Sequence, residues 1–472
     1  MIFTDIVSHP KYNSKRKEHK DYLPSKKQIF MYSYMLSIRC NRSTANHKTH
    51  YNTMINLRKL IATAITIAAL MAGSALQAQQ PKLAIGPNQP VGEGKGIFPA
   101  RVVWTHAPGM ATWEKGNGVW HEDRWNNQQD ADRMVTTAIT ALTGKKKSKA
   151  AWKALFEYYN ASHDKGKHGY KKDEKIAVKL NMNNTDRYED DAQLNASPFV
   201  TLALVRSMVH DAGIPEDCIT LFDSSRYVTD SIYNKIHREF PGVHIIDNVG
   251  ENGREKAAYK EEAIKYSRDN GPMARGLALC ALDADYLINV ALLKGHEGQG
   301  VTLCGKNWYG VTSIHRDWRK NHHHHFTADR SGRPSYVTFT DFMAHKDLGG
   351  KTMLYLVDGT YASRDVNGAP AAKWNMEPFG GQWPCSLFAS QDPVAIDAVA
   401  TDFLIAEYPT MPDLDYCDMY LLEAAKADAA PTGTVYDPDC DGVAAGSLGL
   451  LEHWNNPRDK HYEAIDLKYI RL

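Results

Sequence analysis

The sequence has no pair of cysteines at C-x-x-C spacing, so thiolate zinc sites and ferredoxin-type iron–sulfur clusters have no ligands to build on. It has no internal repeat and no twin-arginine pair before its apolar segment. That segment, Leu60 to Gly73, is an uncharged run of 14 residues, short of the roughly 20 that a membrane-spanning helix needs. Nor is there a dominant charge: 56 basic residues face 55 acidic ones.

The short apolar run has a different use. Met54 to Lys59 is basic, and Ser74 to Ala78 is rich in small residues and precedes Gln79-Gln80-Pro81. This is the order of a secretory signal peptide over 54–78, with cleavage after Ala78. No cysteine lies near the cleavage point to accept a lipid, so no stable membrane anchor is expected after cleavage. Residues 1–53, rich in Lys, His, Tyr, Ser and Asn without apolar periodicity, read as a mis-assigned N-terminal extension. Of the charged residues, 12 basic and 3 acidic precede Gln79, leaving 44 basic and 52 acidic and a net charge of −8. An acidic surface argues against nucleic acid as a partner. The expected location is periplasmic or extracellular. Six cysteines remain, and an exported protein permits disulfides. Cys417–Cys440 is the pairing singled out here.

The remaining chain is long enough for a large core. Residues 79–100 are rich in Pro and Gly and read as a linker, and 101–472 as a single composite domain. Arg101 to Trp104 reads as a first strand. Trp113, Trp120 and Trp125 follow among glycines and charges; aromatic packing under a long loop is the reading, a stacking platform for a sugar the alternative. Helical spacing follows from Asp130 to Leu142, stopped by Gly144, and from Lys145 to Ala161. Then strands and helices alternate. Ile176–Leu180, Cys218–Phe222 and Val243–Ile246 read as strands. Ser197-Pro198, as N-cap and N1, opens a helix running to His210, and Asp230 opens another. Further strands fall at Met353–Val357 and Ser386–Ala389. A last helix runs from Val394 to about Glu407, behind Asp392-Pro393. Such alternation predicts an α/β fold with a largely parallel sheet and flanking helices. Irregular Trp-rich and His-rich insertions interrupt it, the latter spanning His315 to Ser335 and including His322 to His325.

The densest chemistry lies in Leu287 to Gly310, LINVALLKGHEGQGVTLCGKNWYG. An apolar strand, Tyr286 to Leu293, reaches Lys294, and a glycine-rich loop with His296, Thr302, Lys306 and Asn307 is expected to follow. Open α/β sheets bind ligands at the carboxyl ends of their strands, and glycines let backbone amides approach an anion. Gly300 to Asn307 nearly spells the phosphate-binding pattern GxxxxGK[ST], but Asn307 lacks the hydroxyl that holds magnesium, so a nucleotide loop is rejected. Asp397 interrupts an otherwise apolar helix, where a carboxylate needs a partner.

These residues resemble the domain of unknown function 362 family. Lys179-Leu180-Asn181 is similar to its K-x-N motif, and Ser197-Pro198 and Asp223 fit the next segments. Leu292 to His296 resembles its LK-x-H motif, with Gly295 where Thr is common. Thr302 with Gly305 to Gly310 resembles T-x-x-x-K-N-x-x-G. Asp358-Gly359 and Ser390 to Asp397 resemble the last two motifs. The resemblance covers about 175–408 and implies an α/β fold without an agreed activity. Some relatives carry ferredoxin-type cysteine clusters; this chain does not, so no iron–sulfur cluster is expected.

The sequence therefore points to one composite site for a small anionic ligand or substrate. Lys179, Asn181, Thr302, Lys306 and Asn307 would hold it. His296, Asp397 and Lys294 would do acid–base work. A divalent metal ion is the cofactor that His296, Asp358 and Asp392 would bind. Two other readings stand beside this one: a non-catalytic binding protein for an anion, metal or glycan fragment, and a redox accessory protein.

Overall fold

The computed structural model describes residues 81–472, apart from 184, 190–191, 269–272, 314–335 and 371. His315 and His322 to His325, and the residues of the expected signal peptide, lie outside the described residues.

The alternation read from the sequence becomes a ten-stranded sheet. Its strands are β1 (Arg101–His106), β2 (Ile176–Lys179), β3 (Ile219–Asp223), β4 (His244–Asp247), β5 (Glu255–Lys256), β6 (Tyr286–His296), β7 (Gly300–Thr302), β8 (Thr352–Ser363), β9 (Ser386–Ser390) and β10 (Asp466–Arg471). The order across the sheet is β10-β1-β9-β8-β6-β2-β3-β4-β5, with β7 folded back on β6. In the main row only β9 runs against its neighbours; every other pairing is parallel. The largely parallel α/β sheet read from the sequence is thus present.

β6 and β8, at the centre, are buried along their full 11 and 12 residues. Helices cover both faces, so these strands read as continuous apolar runs rather than alternating ones. On one face Ile288, Val290 and Leu292 of β6 pack with α1 (Gln128–Thr143), α2 (Ser148–Ser162), α3 (Pro198–Arg206) and α4 (Asp230–His237). On the other, Leu287, Ala291 and Leu293 pack with α5 (Cys304–Asn307), α6 (Thr338–Ala344), α7 (Pro393–Glu407) and α8 (Met419–Ala425).

The helix boundaries follow from capping chemistry. Asn127 caps α1 by accepting from the amides of Gln129 and Asp130, and Gly144 ends it in the left-handed region. The Ser197 hydroxyl accepts from the amides of Phe199 and Val200, with Pro198 at the first position of α3. Trp113 and Trp120 are buried and pack with Tyr361 and Trp383, while Trp125 is half-buried. Packing thus accounts for two of the three tryptophans.

Three expectations need correction. First, the segment read as a linker is stitched to the body. The amide of Lys82 donates to Asp415, that of Ala84 to Asp418, and Val91–Gly92 pairs with Leu450–Leu451. Second, the six cysteines among the described residues are unpaired; Cys417 is buried and Cys440 exposed, and they do not form the expected bridge. Third, β6 does not stop at Lys294. It runs through His296 and turns at once into β7, with Thr302 opposite Lys294 and Gly300 opposite His296. The glycines serve packing there. A Cβ on Gly295 would lie 2.1 Å from the Arg364 carbonyl oxygen and 2.2 Å from Met411 Sδ. The amide of Gly298 donates to Asp413 at 2.6 Å rather than facing a ligand.

One edge of the sheet joins segments far apart in sequence. β10 lies parallel to β1, and Arg101 Nε donates to Asp466 Oδ2 at 2.8 Å.

Candidate functional site

Strand order locates the site. From β2 the chain builds outward through β3, β4 and β5, then returns to the other side of β2 with β6 and β8. The reversal lies between β2 and β6. In open α/β sheets such a reversal point, at the carboxyl ends of the strands, is where ligands bind. Lys179 ends β2, Asp223 ends β3, and Lys294 lies near the end of β6.

Lys179 is 1% exposed and forms an ion pair with Asp223 at 3.1 Å. Its Nζ also donates to the Leu180 carbonyl at 2.5 Å and to Asn307 Oδ1 at 3.3 Å. Burial lowers the pKa of this ammonium, and the Asp223 carboxylate opposes that shift. Asp223 is further held by the Met182 amide at 2.9 Å and by the Ser225 amide and hydroxyl at 3.1 and 2.9 Å. Asn307 completes this layer: its Nδ2 donates to Asn289 Oδ1 at 2.8 Å and to the Val290 carbonyl at 3.2 Å. Gly310 covers the pair so closely that a Cβ would lie 3.0 Å from Lys179 Nζ and 3.1 Å from Asp223 Oδ1.

Two further lysines lack such partners. Lys294 is fully buried, and its Nζ donates to the Val366 carbonyl at 3.3 Å. Lys306 is 6% exposed, and its Nζ lies 5.3 Å from the centre of the Tyr309 ring. Neither has a carboxylate within ion-pair distance among the described residues. Burial pushes the Lys294 amine down to about 7; the Arg226 guanidinium adds to the shift and Asp223 opposes it. Burial also pushes Lys306 down to about 7, reinforced by Lys294, Arg226 and Lys179. Arg226 is anchored by the Asn183 carbonyl at 2.8 Å. Three lysines thus share one buried neighbourhood within the field of the half-buried Arg226, and among the described residues the ion pair formed there is Lys179–Asp223.

Asp397 has a definite job nearby. Its carboxylate accepts from the amides of Cys304 and Gly305, both at 2.8 Å, and from the Tyr420 hydroxyl at 2.8 Å. An internal carboxylate therefore occupies the amino end of α5, where a phosphate loop would hold its ligand. This fixes the backbone that carries Lys306 and Asn307. Burial raises the Asp397 carboxyl to about 6, against the pull of those donors.

The other expected residues are placed as follows. Asn181 is buried beyond the end of β2, and its carbonyl accepts from the Ala196 amide at 3.0 Å. Thr302 donates to the Gly295 carbonyl at 3.2 Å across the hairpin. His296 is buried at the turn, with Nδ1 against the Glu297 carbonyl. Asp358 accepts from the amides of Ser197 at 3.1 Å and Thr360 at 2.9 Å, tying β8 to the start of α3. Burial raises its pKa. Asp392 follows the reversed strand β9 and so lies at the opposite end of the sheet. It accepts from the amides of Val394, Ala395, Lys95 and Leu450 at 2.9–3.1 Å, and burial raises its carboxyl to about 6. His296, Asp358 and Asp392 are not gathered into one cluster, and no three His, Cys, Asp or Glu side chains are so placed among the described residues. The structure thus assembles Lys179, Lys294, Lys306 and Asn307, supports them through Asp397, and leaves Asp358 and Asp392 on capping duty.

Sequence reasoning left out Asn289 and Arg226 and gave Asp223 no role beyond the resemblance. Asp223 carried a signal, as the acidic end of a strand beside the Lys179 strand. Asn289 had one too, as an amide within an apolar central strand. Arg226 had none, because its approach depends on how the turn after β3 folds.

No helix among the described residues is long and apolar enough to cross a membrane. No curated protein matches the chain. The profile of the domain of unknown function 362 (DUF362) matches residues 176–402, a span that contains every candidate side chain placed above. With a matching profile and a parallel sheet that brings its motif lysines together at the switch point, residues 176–402 belong to the domain of unknown function 362 family.

Proposed function

We propose that the chain binds a small anion at the carboxyl ends of β2 and β6. The observation that carries this reading is the surplus of buried positive charge: Lys294 and Lys306 lie beside the Lys179–Asp223 ion pair and have no carboxylate of their own within ion-pair distance among the described residues. Removing charge from water costs several kcal/mol per ion unless a counter-charge compensates. Here an anionic ligand is the missing counter-charge. Its arrival would favour protonation of both amines, so binding takes up protons near neutral pH. Carboxylate, phosphate or sulfate groups fit this chemistry equally.

The sequence from Met54 to Ala78 supports export, and we place the binding outside the cytoplasm on that basis. The test is thermal unfolding of tag-free protein, purified without nickel resin, in increasing sulfate at constant ionic strength. Wild type should gain stability with sulfate, and Lys294→Met and Lys306→Met should lose that gain. An equal gain in all three would place the anion elsewhere.

A further inference from the structure

We propose that Lys306 is an amine nucleophile that condenses with a small carbonyl compound bearing a carboxylate, such as an α-oxo acid or an anionic aldehyde. The proposal rests on the anion-site reading and adds a covalent step to it.

The buried lysines of this protein differ in what occupies their amines. Lys179 pairs with Asp223, and Lys351 pairs with Asp347 at 3.1 Å while donating to the Leu282 carbonyl at 2.7 Å. Both amines are engaged, as structural lysines are. Lys306 has neither a hydrogen bond nor an ion pair among the described residues, yet its side chain is buried. Its backbone, by contrast, is clamped: Asp397 holds the amides of Cys304 and Gly305, and Asn307 is tied to β6 through Asn289 and Val290. A rigid base carrying an unoccupied amine is the arrangement a nucleophile needs.

The surroundings also favour the reactive form. Lys294, Arg226 and Lys179 all disfavour an ammonium at Lys306; the Tyr309 ring favours it, and Asp223 is spent on Lys179. An amine held near 7 is about half free base at neutral pH, against well under 1% for an ordinary lysine. Lys294 would bind the carboxylate of the ligand and present its carbonyl carbon to Lys306 Nζ.

The step balances without any further reagent. The Nζ lone pair forms the C–N bond as the carbonyl π bond breaks, and a proton moves from nitrogen to the new alkoxide to give a carbinolamine. Loss of the hydroxyl as water leaves the imine. Protonated, that imine carries the charge the lysine had, now balanced by the ligand's carboxylate.

The experiment is reductive trapping of the full chain with glyoxylate and cyanoborohydride at pH 7, followed by peptide mass spectrometry for carboxymethyl-lysine. Lys306 should be labelled at least about tenfold faster than exposed lysines such as Lys149 and Lys171, with excess sulfate protecting Lys306 alone. Lys306→Arg leaves no primary amine at this position and should give no adduct there. Labelling of Lys306 at the surface rate, or of Lys294 in its place, overturns the condensation while sulfate stabilisation leaves the anion site standing. Loss of both protection and stabilisation overturns both.

Discussion

Two regions of this protein bury positive charge, and they do it in opposite ways. Near the C-terminus, His453 lies between Asp402 and Asp418. Its Nδ1 is 2.6 Å from Asp402 and its Nε2 is 3.1 Å from Asp418. The carboxylates are themselves satisfied: Asp402 by the Trp454 amide and Tyr462 hydroxyl, each at 2.9 Å, and Asp418 by the Ala84 amide at 2.9 Å. Burial works against the imidazolium, but the two carboxylates prevail and raise its pKa to about 10. At the switch point, Lys294 and Lys306 have no such pair of carboxylates among the described residues, and burial takes them down to about 7. The first region is complete in itself and fastens the C-terminal segment to α7. The second lacks its counter-charge, and that separates a site from a strut.

Substitutions should widen this contrast. His453→Ala leaves two buried carboxylates facing each other and should cost the most, about 3–5 kcal/mol by urea denaturation. Asp397→Ala strands two backbone amides and a tyrosine hydroxyl, and should cost about 2–4 kcal/mol while also weakening sulfate binding. Lys306→Met removes a buried charge that had no partner. In sulfate-free buffer its stability should stay within about 1 kcal/mol of wild type or rise. A loss as large as that of His453→Ala would mean the lysine is structural and would dissolve the distinction.

The smallest effect is in the pH dependence, where the signs oppose. The His453 pKa is raised on folding, so its stabilisation is full below about 6.5 and is lost as pH rises through about 10. The pKa values of Lys294 and Lys306 are depressed, so without anion their contribution grows as pH rises from about 7 towards about 10.4. Subtracting the stability–pH profile of Lys306→Met from that of wild type should isolate a rising component in sulfate-free buffer. Saturating sulfate should flatten it.

The sequence made some of this architecture visible because local chemistry set it. Asn127 aside, the helix signals at Gly144, Ser197-Pro198 and Asp392-Pro393 act over a few residues, and each lies where its pattern placed it. The parallel sheet was readable from alternation alone. Lys179, Lys294, Lys306 and Asn307 were readable as motif residues, but their convergence depends on strand order. The amide-binding role of Asp358 was hidden for the same reason, as was the further hold of Asp392 on the amides of Lys95 and Leu450. A carboxylate bound by amides of another element looks, in sequence, like one waiting for a metal. Only the reversal of β9 shows that Asp392 sits at the wrong end of the sheet.

The pairing of β10 with β1 has a consequence in time. Arg101 and Asp466 are 365 positions apart, so β1 cannot be covered until all the intervening chain has been made. Until then β1 offers an open rim, and the cost of joining such distant segments slows completion. A ribosome would therefore be carrying an unfinished sheet while it makes those residues. A chain cut before Asp466 should accumulate in aggregates even with every residue of the anion site intact.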